Sequence, residues 1–314
     1  MKVVLMFAIC SMRPIFFHAF SFLAWFISID HAAAQNIIKG SIELNIEVCT
    51  YFTLQPKEHI KGIVLLLPGR GESPKQVFKN TKLPTALAAK GYLTLVPELQ
   101  YSLFADKKIK SQIAELLKTQ SVKHNLINPT LIIGGFSAGG AVAISYAEFL
   151  LSDDTTINLK AIFAIDPPLD LERLYAAAER LIKYNCGNLI QRDGTVTKDY
   201  LDKAFGGSPT LKPETYLEHS PFAANSSDGG NAKWLRNIPI RLYTEPDLQF
   251  VQKKYCKELR IEDLNAGDLE KLNRLLLKIG NRRSEYITTT GKGYHTWNIA
   301  DPDELVDWII KNSN

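Results

Sequence analysis

Much is missing from this 314-residue chain, and each absence closes off a class of protein. Four cysteines are too few for a disulfide-built scaffold, and none of them is spaced as a zinc ligand. There is no His-x-x-x-His pattern for a metal helix and no Walker-type loop. The lone Gly134-Gly135 pair falls short of a dinucleotide fingerprint, because no acidic residue ends a strand about twenty positions on. No cofactor and no metal are therefore expected. Charge of one sign is also lacking: 37 Lys+Arg against 33 Asp+Glu leave +4, too weak and too dispersed for a nucleic-acid surface. Fifteen Pro and nineteen Gly are spread along the whole chain, so there is no low-complexity tract, and no internal repeat is seen. The remainder, 46% hydrophobic and 22% charged, is ordinary globular composition. One large domain, or one carrying an insertion, is the expectation at this length.

No apolar run reaches the roughly 20 residues a spanning helix needs. The run at Ile15–Ile29 (IFFHAFSFLAWFISI) is about 15 residues long, and Ala32-Ala33-Ala34-Gln35 follows as a small-residue cleavage signal. Residues 1–34 read as a signal peptide, with Met12-Arg13 as the favoured start and Gln35 as the first mature residue. The product is expected to be exported, periplasmic or secreted, with no stable membrane span after cleavage; its oligomeric state is open. The mature chain keeps Cys49, Cys186 and Cys256, an odd count that permits at most one internal bridge. A chain near 280 residues has core enough without staples, so these cysteines are expected to be buried and unpaired.

Present instead is a rhythm of strands and helices. Leu44–Leu54 alternates like a strand in an antiparallel sheet, whereas Ile63–Leu67 (IVLLL) is wholly apolar, as in a strand buried on both faces. Further strands are read at Gly91–Val96, Leu131–Ile133, Ala161–Ile165, Ile238–Tyr243 and Glu285–Thr288. Helical patterns fall between them at Thr85–Lys90, Ile109–Gln120, Ala141–Leu151 and Asp263–Ile279, and Asp303–Lys311 closes the chain. Alternation of this kind predicts βαβ units and an α/β fold with a mostly parallel sheet. Residues 167–236 break the rhythm with helical stretches such as Leu171–Tyr184 and no buried-strand run, so they read as a helical insertion.

After the apolar Leu131-Ile132-Ile133 comes Gly134-Gly135-Phe136-Ser137-Ala138-Gly139-Gly140, leading into a helix of small residues. A nucleophilic serine at a sharp strand-to-helix turn needs glycines two before and two after it, where a Cβ would collide. The helix that follows aims its first amides and positive dipole end at a developing oxyanion. Ser137 is thus the candidate nucleophile. Of His59, His124, His219 and His295, only His295 follows every candidate acid, in a loop between a strand and the closing helix, Gly291-Lys-Gly-Tyr-His-Thr-Trp297. An imidazole there can reach the Ser137 hydroxyl as general base.

GFSAGG after a buried strand, the LLLPGRGES segment at 65–73 and His-x-Trp before a terminal amphipathic helix resemble the α/β-hydrolase superfamily, in particular its carboxylesterase-like serine hydrolases. The resemblance implies an eight-stranded, mostly parallel sheet with helices on both faces across residues 35–314. It also implies a helical cap at about 167–236 and a triad in the order nucleophile, acid, histidine. By position the oxyanion donors would be the amides of Arg70 and Ala138; Pro68 stands where the superfamily usually has His. For the acid, the strand at Ile238–Tyr243 ends in Thr244-Glu245-Pro246-Asp247. Asp247 matches the superfamily spacing, although Thr244 replaces the usual Gly; Glu245 and Asp166 are the alternatives. The expected activity is hydrolysis of a small-molecule carboxylic ester through a Ser137 acyl-enzyme. A peptidase of the same fold and a silent binding protein remain the other readings.

Overall fold

The computed structural model describes residues 36–44, 47–153 and 156–313. The leader expected at 1–34 lies outside them. Eight strands form one sheet: β1 Ile37–Leu44, β2 Glu47–Leu54, β3 Gly62–Leu67, β4 Tyr92–Pro97, β5 Thr130–Phe136, β6 Leu159–Ile165, β7 Ile240–Thr244 and β8 Ser284–Thr288. Their order across the sheet is β1-β2-β4-β3-β5-β6-β7-β8. β1 pairs antiparallel with β2 and β2 with β4; every later pairing is parallel. The expected mostly parallel α/β sheet is what the chain forms.

The apolar runs account for its centre. All six residues of β3 and of β4 are buried, as strands covered on both faces must be. Alternate side chains then serve opposite layers. Ile63, Leu65 and Leu67 pack in the core built with α3 (Lys107–Lys123), α4 (Ala138–Ser152) and α9 (Ala266–Lys278). Val64 and Leu66 join the core formed with α1 (Pro74–Asn80), α2 (Leu83–Ala89) and α10 (Pro302–Ser313). Each such Leu, Ile or Val contributes about 1.5–3 kcal/mol of burial, which makes the centre of the sheet the rigid platform for the loops at its rim.

β1 was not expected. Five of its eight residues are exposed, so it shows no apolar alternation, and only its pairing with β2 makes it a strand. Between β6 and β7 the chain forms α5 (Leu171–Lys183), α6 (Asn188–Phe205) and α7 (Pro213–His219), and among the described residues no strand. The entry to this segment is bolted to α9: Asp268 Oδ2 accepts the amides of Leu169 and Asp170, both at 3.1 Å, and Asp268 pairs with the Arg173 guanidinium. Asp170 caps α5 through the Arg173 amide at 3.0 Å. α8 (Leu248–Lys254) completes the helices. Among the described residues no helix is long and apolar enough to cross a membrane.

The cysteine expectation is corrected. Cys186, just before α6, and Cys256, just after α8, form a disulfide, and among the described residues Cys49 alone stays free and buried. Seventy residues separate the partners, and only the fold brings the two segments together.

Candidate active site

Ser137 sits at the turn from β5 into α4 with φ 52° and ψ −125°, a strained conformation for a residue with a side chain. The flanking glycines are required by close contact. A Cβ on Gly135 would lie 2.6 Å from the carbonyl oxygen of Gly139. One on Gly139 would lie 2.3 Å from the carbonyl oxygen of Leu67. The second contact presses the start of α4 against the loop after β3, which brings Ala138 and Arg70 to one cleft with Ser137 and His295. As the first residue of α4, Ala138 has an amide with no partner inside the helix.

The His295 imidazole bridges two side chains. Its Nε2 lies 2.8 Å from Ser137 Oγ, and its Nδ1 lies 2.5 Å from Asp166 Oδ2. The ring packs on Phe136, with centroids 4.7 Å apart, and Phe136 in turn meets Trp297. Asp166, at the end of β6, is 1% exposed and also has a positive φ of 48°. Three contacts hold it there. Its amide donates to Tyr243 O at 2.7 Å, its carbonyl accepts Asn265 Nδ2 at 3.0 Å, and its Oδ1 accepts the Thr244 hydroxyl at 2.6 Å.

The expected acid, Asp247, is not beside the imidazole. Its Oδ1 accepts the Phe250 amide at 2.8 Å and caps α8, so the carboxylate is committed to starting a helix. Glu245 is 2% exposed and faces the histidine loop rather than the ring: its two oxygens accept Thr289 Oγ1 and the amides of Lys292, Gly293 and Tyr294. Asp166, one of the two alternatives, stands beside the imidazole. The departure at Thr244 was the available signal. Thr244, at the position where the resemblance implies glycine, supplies the hydroxyl that binds the second oxygen of Asp166.

Glu72 was missed altogether. Its Oε2 accepts the Gly69 amide at 3.0 Å, and its carboxylate takes the Trp297 indole N–H at 2.9 and 3.1 Å. It thereby ties the loop after β3 to the loop that carries His295. The Arg70 side chain lines the cleft over Ser137 and is held by α6. It pairs with Asp193 and donates to Thr197 Oγ1 at 3.1 Å, both on α6. Leu174, Ala177, Ala178 and Leu181 of α5, with Leu189 and Ile190 of α6, give the cleft over Ser137 an apolar wall; its volume is about 470 Å³. His219 does not line this cleft; it stacks on Phe104 and Phe205 with centroids 4.7 and 5.3 Å away.

No protein-family model matches the chain, and no curated protein matches it in sequence. Solved structures match its fold. An esterase from Rhizomucor miehei is 12% identical at a TM-score of 0.57, covering 89% of this chain and 85% of that one. Carboxyl esterase 2 from Tuber melanosporum is 16% identical at 0.56, with 90% of each chain covered. The acylaminoacyl peptidase of Pyrococcus horikoshii is 12% identical at 0.59, over 89% of this chain but 42% of that one. At these identities the likeness is one of fold, and the fold is that of the α/β hydrolases.

Proposed function

We propose that this chain is an exported serine hydrolase that cleaves a carboxylic ester through an acyl-enzyme on Ser137, with His295 as base and Asp166 as the acid that orients it. One observation carries the reading: a single imidazole spans the 2.8 Å to Ser137 Oγ and the 2.5 Å to a buried carboxylate. In that geometry His295 takes the serine proton as Oγ attacks the ester carbonyl, and Asp166 fixes the tautomer and stabilises the imidazolium. The Arg70 and Ala138 amides receive the oxyanion, a contribution of about 2.7–4 kcal/mol per donor. The imidazolium then protonates the departing alcohol, and a water activated by the same ring releases the acid. The apolar wall from α5 and α6 suits a hydrocarbon acyl or alkyl group. Export is supported by the apolar run and small-residue site at the amino terminus, and the Cys186–Cys256 disulfide fits an oxidising compartment.

The test is turnover of p-nitrophenyl esters of graded chain length beside an acylaminoacyl p-nitroanilide, with fluorophosphonate labelling of the protein. Ester turnover, labelling of Ser137 and loss of both in Ser137→Ala are expected. Ser137→Ala retaining more than a few per cent of the ester activity rejects the nucleophile; faster anilide than ester cleavage rejects the substrate class.

A further inference from the structure

The loop that carries His295 turns repeatedly through left-handed backbone. Gly291 and Gly293 have φ of 72° and 106°, and Tyr294, immediately before the histidine, has φ 60°. A side-chain-bearing residue keeps that conformation only where its surroundings impose it. The surroundings here converge on one carboxylate. Glu245 Oε2 accepts Thr289 Oγ1 at 2.9 Å and the Lys292 amide at 2.8 Å, while Oε1 accepts the amides of Gly293 at 3.0 Å and Tyr294 at 2.9 Å. Three consecutive amides turned toward one anion form a concave nest that only a negative charge fills well. Among the described residues Glu245 has no ion-pair partner, so these hydrogen bonds are what holds its charge in the interior. Burial by itself would raise its pKa; the hydrogen bonds outweigh that and hold the carboxyl below the usual range.

We infer that Glu245 is the positioning residue of the site: its carboxylate clamps residues 292–294 and thereby sets the distance and angle at which the His295 imidazole meets both Ser137 and Asp166. The inference rests on the reading of Ser137 and His295 as the catalytic pair. Glu245 touches neither the ring nor the space above Ser137, so it acts through the loop alone. A carboxamide cannot replace it, because its NH₂ group would face two of the four donors. A loosened loop displaces an imidazole held by 2.8 and 2.5 Å contacts, and misplacement of about 1 Å costs on the order of 10² in rate.

The experiment compares wild type, Glu245→Gln and Thr289→Val in ester hydrolysis, with the low-field NMR proton between His295 and Asp166 followed in each. Glu245→Gln is expected to lose about 10²-fold in kcat with KM within about threefold, and its low-field resonance should weaken through exchange with water. A kcat within about threefold of wild type, or a loss of kcat with the resonance unchanged, overturns the inference. If Glu245→Gln does not fold, Thr289→Val decides, since it removes one donor and leaves the carboxylate. A kcat loss of about three- to tenfold at constant KM supports the clamp, and an unchanged kcat overturns it. Ser137→Ala run in parallel separates the two readings. If it still turns over ester, the proposed function fails, and the resonance alone judges the clamp.

Discussion

Asp166→Asn is the sharpest perturbation the site offers, because shape is kept and a single charge is lost. In the wild type Asp166 Oδ2 is 2.5 Å from His295 Nδ1, while Oδ1 is taken by the Thr244 hydroxyl at 2.6 Å. If the new amide nitrogen faces Nδ1, the imidazole must accept there. Its proton then sits on Nε2, pointing at the Ser137 oxygen 2.8 Å away, and the ring can no longer take the serine proton. If the carboxamide oxygen faces Nδ1 instead, Thr244 turns to accept from the amide, and the ring keeps its tautomer but loses the anion that stabilises it when protonated. The first arrangement corresponds to a loss of about 10⁴ in kcat, or about 5.4 kcal/mol at 1.36 kcal/mol per decade. Thermal stability should change little, since both hydrogen bonds can be kept. The comparison is Asp247→Asn, whose carboxamide oxygen can still accept the Phe250 amide that starts α8; its kcat should stay within about threefold of wild type. Both are measured by p-nitrophenyl butyrate hydrolysis at neutral pH. An Asp166→Asn enzyme within about tenfold of wild type, or an Asp247→Asn enzyme equally impaired, would refute the assignment.

Three further outcomes follow from the packing. Gly139→Ala places a Cβ 2.3 Å from the Leu67 carbonyl and 2.4 Å from that of Pro68; neither backbone can yield cheaply. The variant should lose at least about 3 kcal/mol in urea unfolding, and near-wild-type stability would show that the elbow is not tight. Replacing Cys186 and Cys256 together by Ser opens a crosslink between residues 70 apart, which by chain entropy removes about 4 kcal/mol, read as a lower midpoint in guanidinium. Reductant should lower the wild-type midpoint and leave the double variant unmoved. Glu148, on α4, is 3% exposed, and among the described residues its Oε1 has no hydrogen-bond partner. Burial raises its pKa well above the usual carboxylate value, so it opposes folding more strongly as the pH climbs from about 4.3 toward the folded value. Glu148→Gln should therefore match wild type in Tm near pH 4 and exceed it at pH 8; a difference that is flat with pH contradicts the burial account.

Local pattern alone determined the platform and two of the three groups in the Ser137–His295–Asp166 chain of contacts. A run such as IVLLL fits only a strand covered on both faces, and Gly-x-Ser-x-Gly after such a strand fits a turn in which both glycines face backbone. Those are short-range constraints, written within about ten residues. His295 was legible for a related reason, as the only histidine beyond the last candidate acids. The acid was not legible, because Asp166, Glu245 and Asp247 all stand at the ends of neighbouring strands. Which one reaches Nδ1 depends on where α8 begins, on how the loop at 289–295 folds around Glu245, and on a hydroxyl from Thr244 that lies 78 residues from its partner. β1 was hidden similarly, since an exposed edge strand carries no apolar signature until its neighbour supplies the ladder. The pairing of Cys186 with Cys256 likewise required two distant loops to meet. In each case the deciding contact joins residues far apart in the chain, and only the folded backbone fixes those distances.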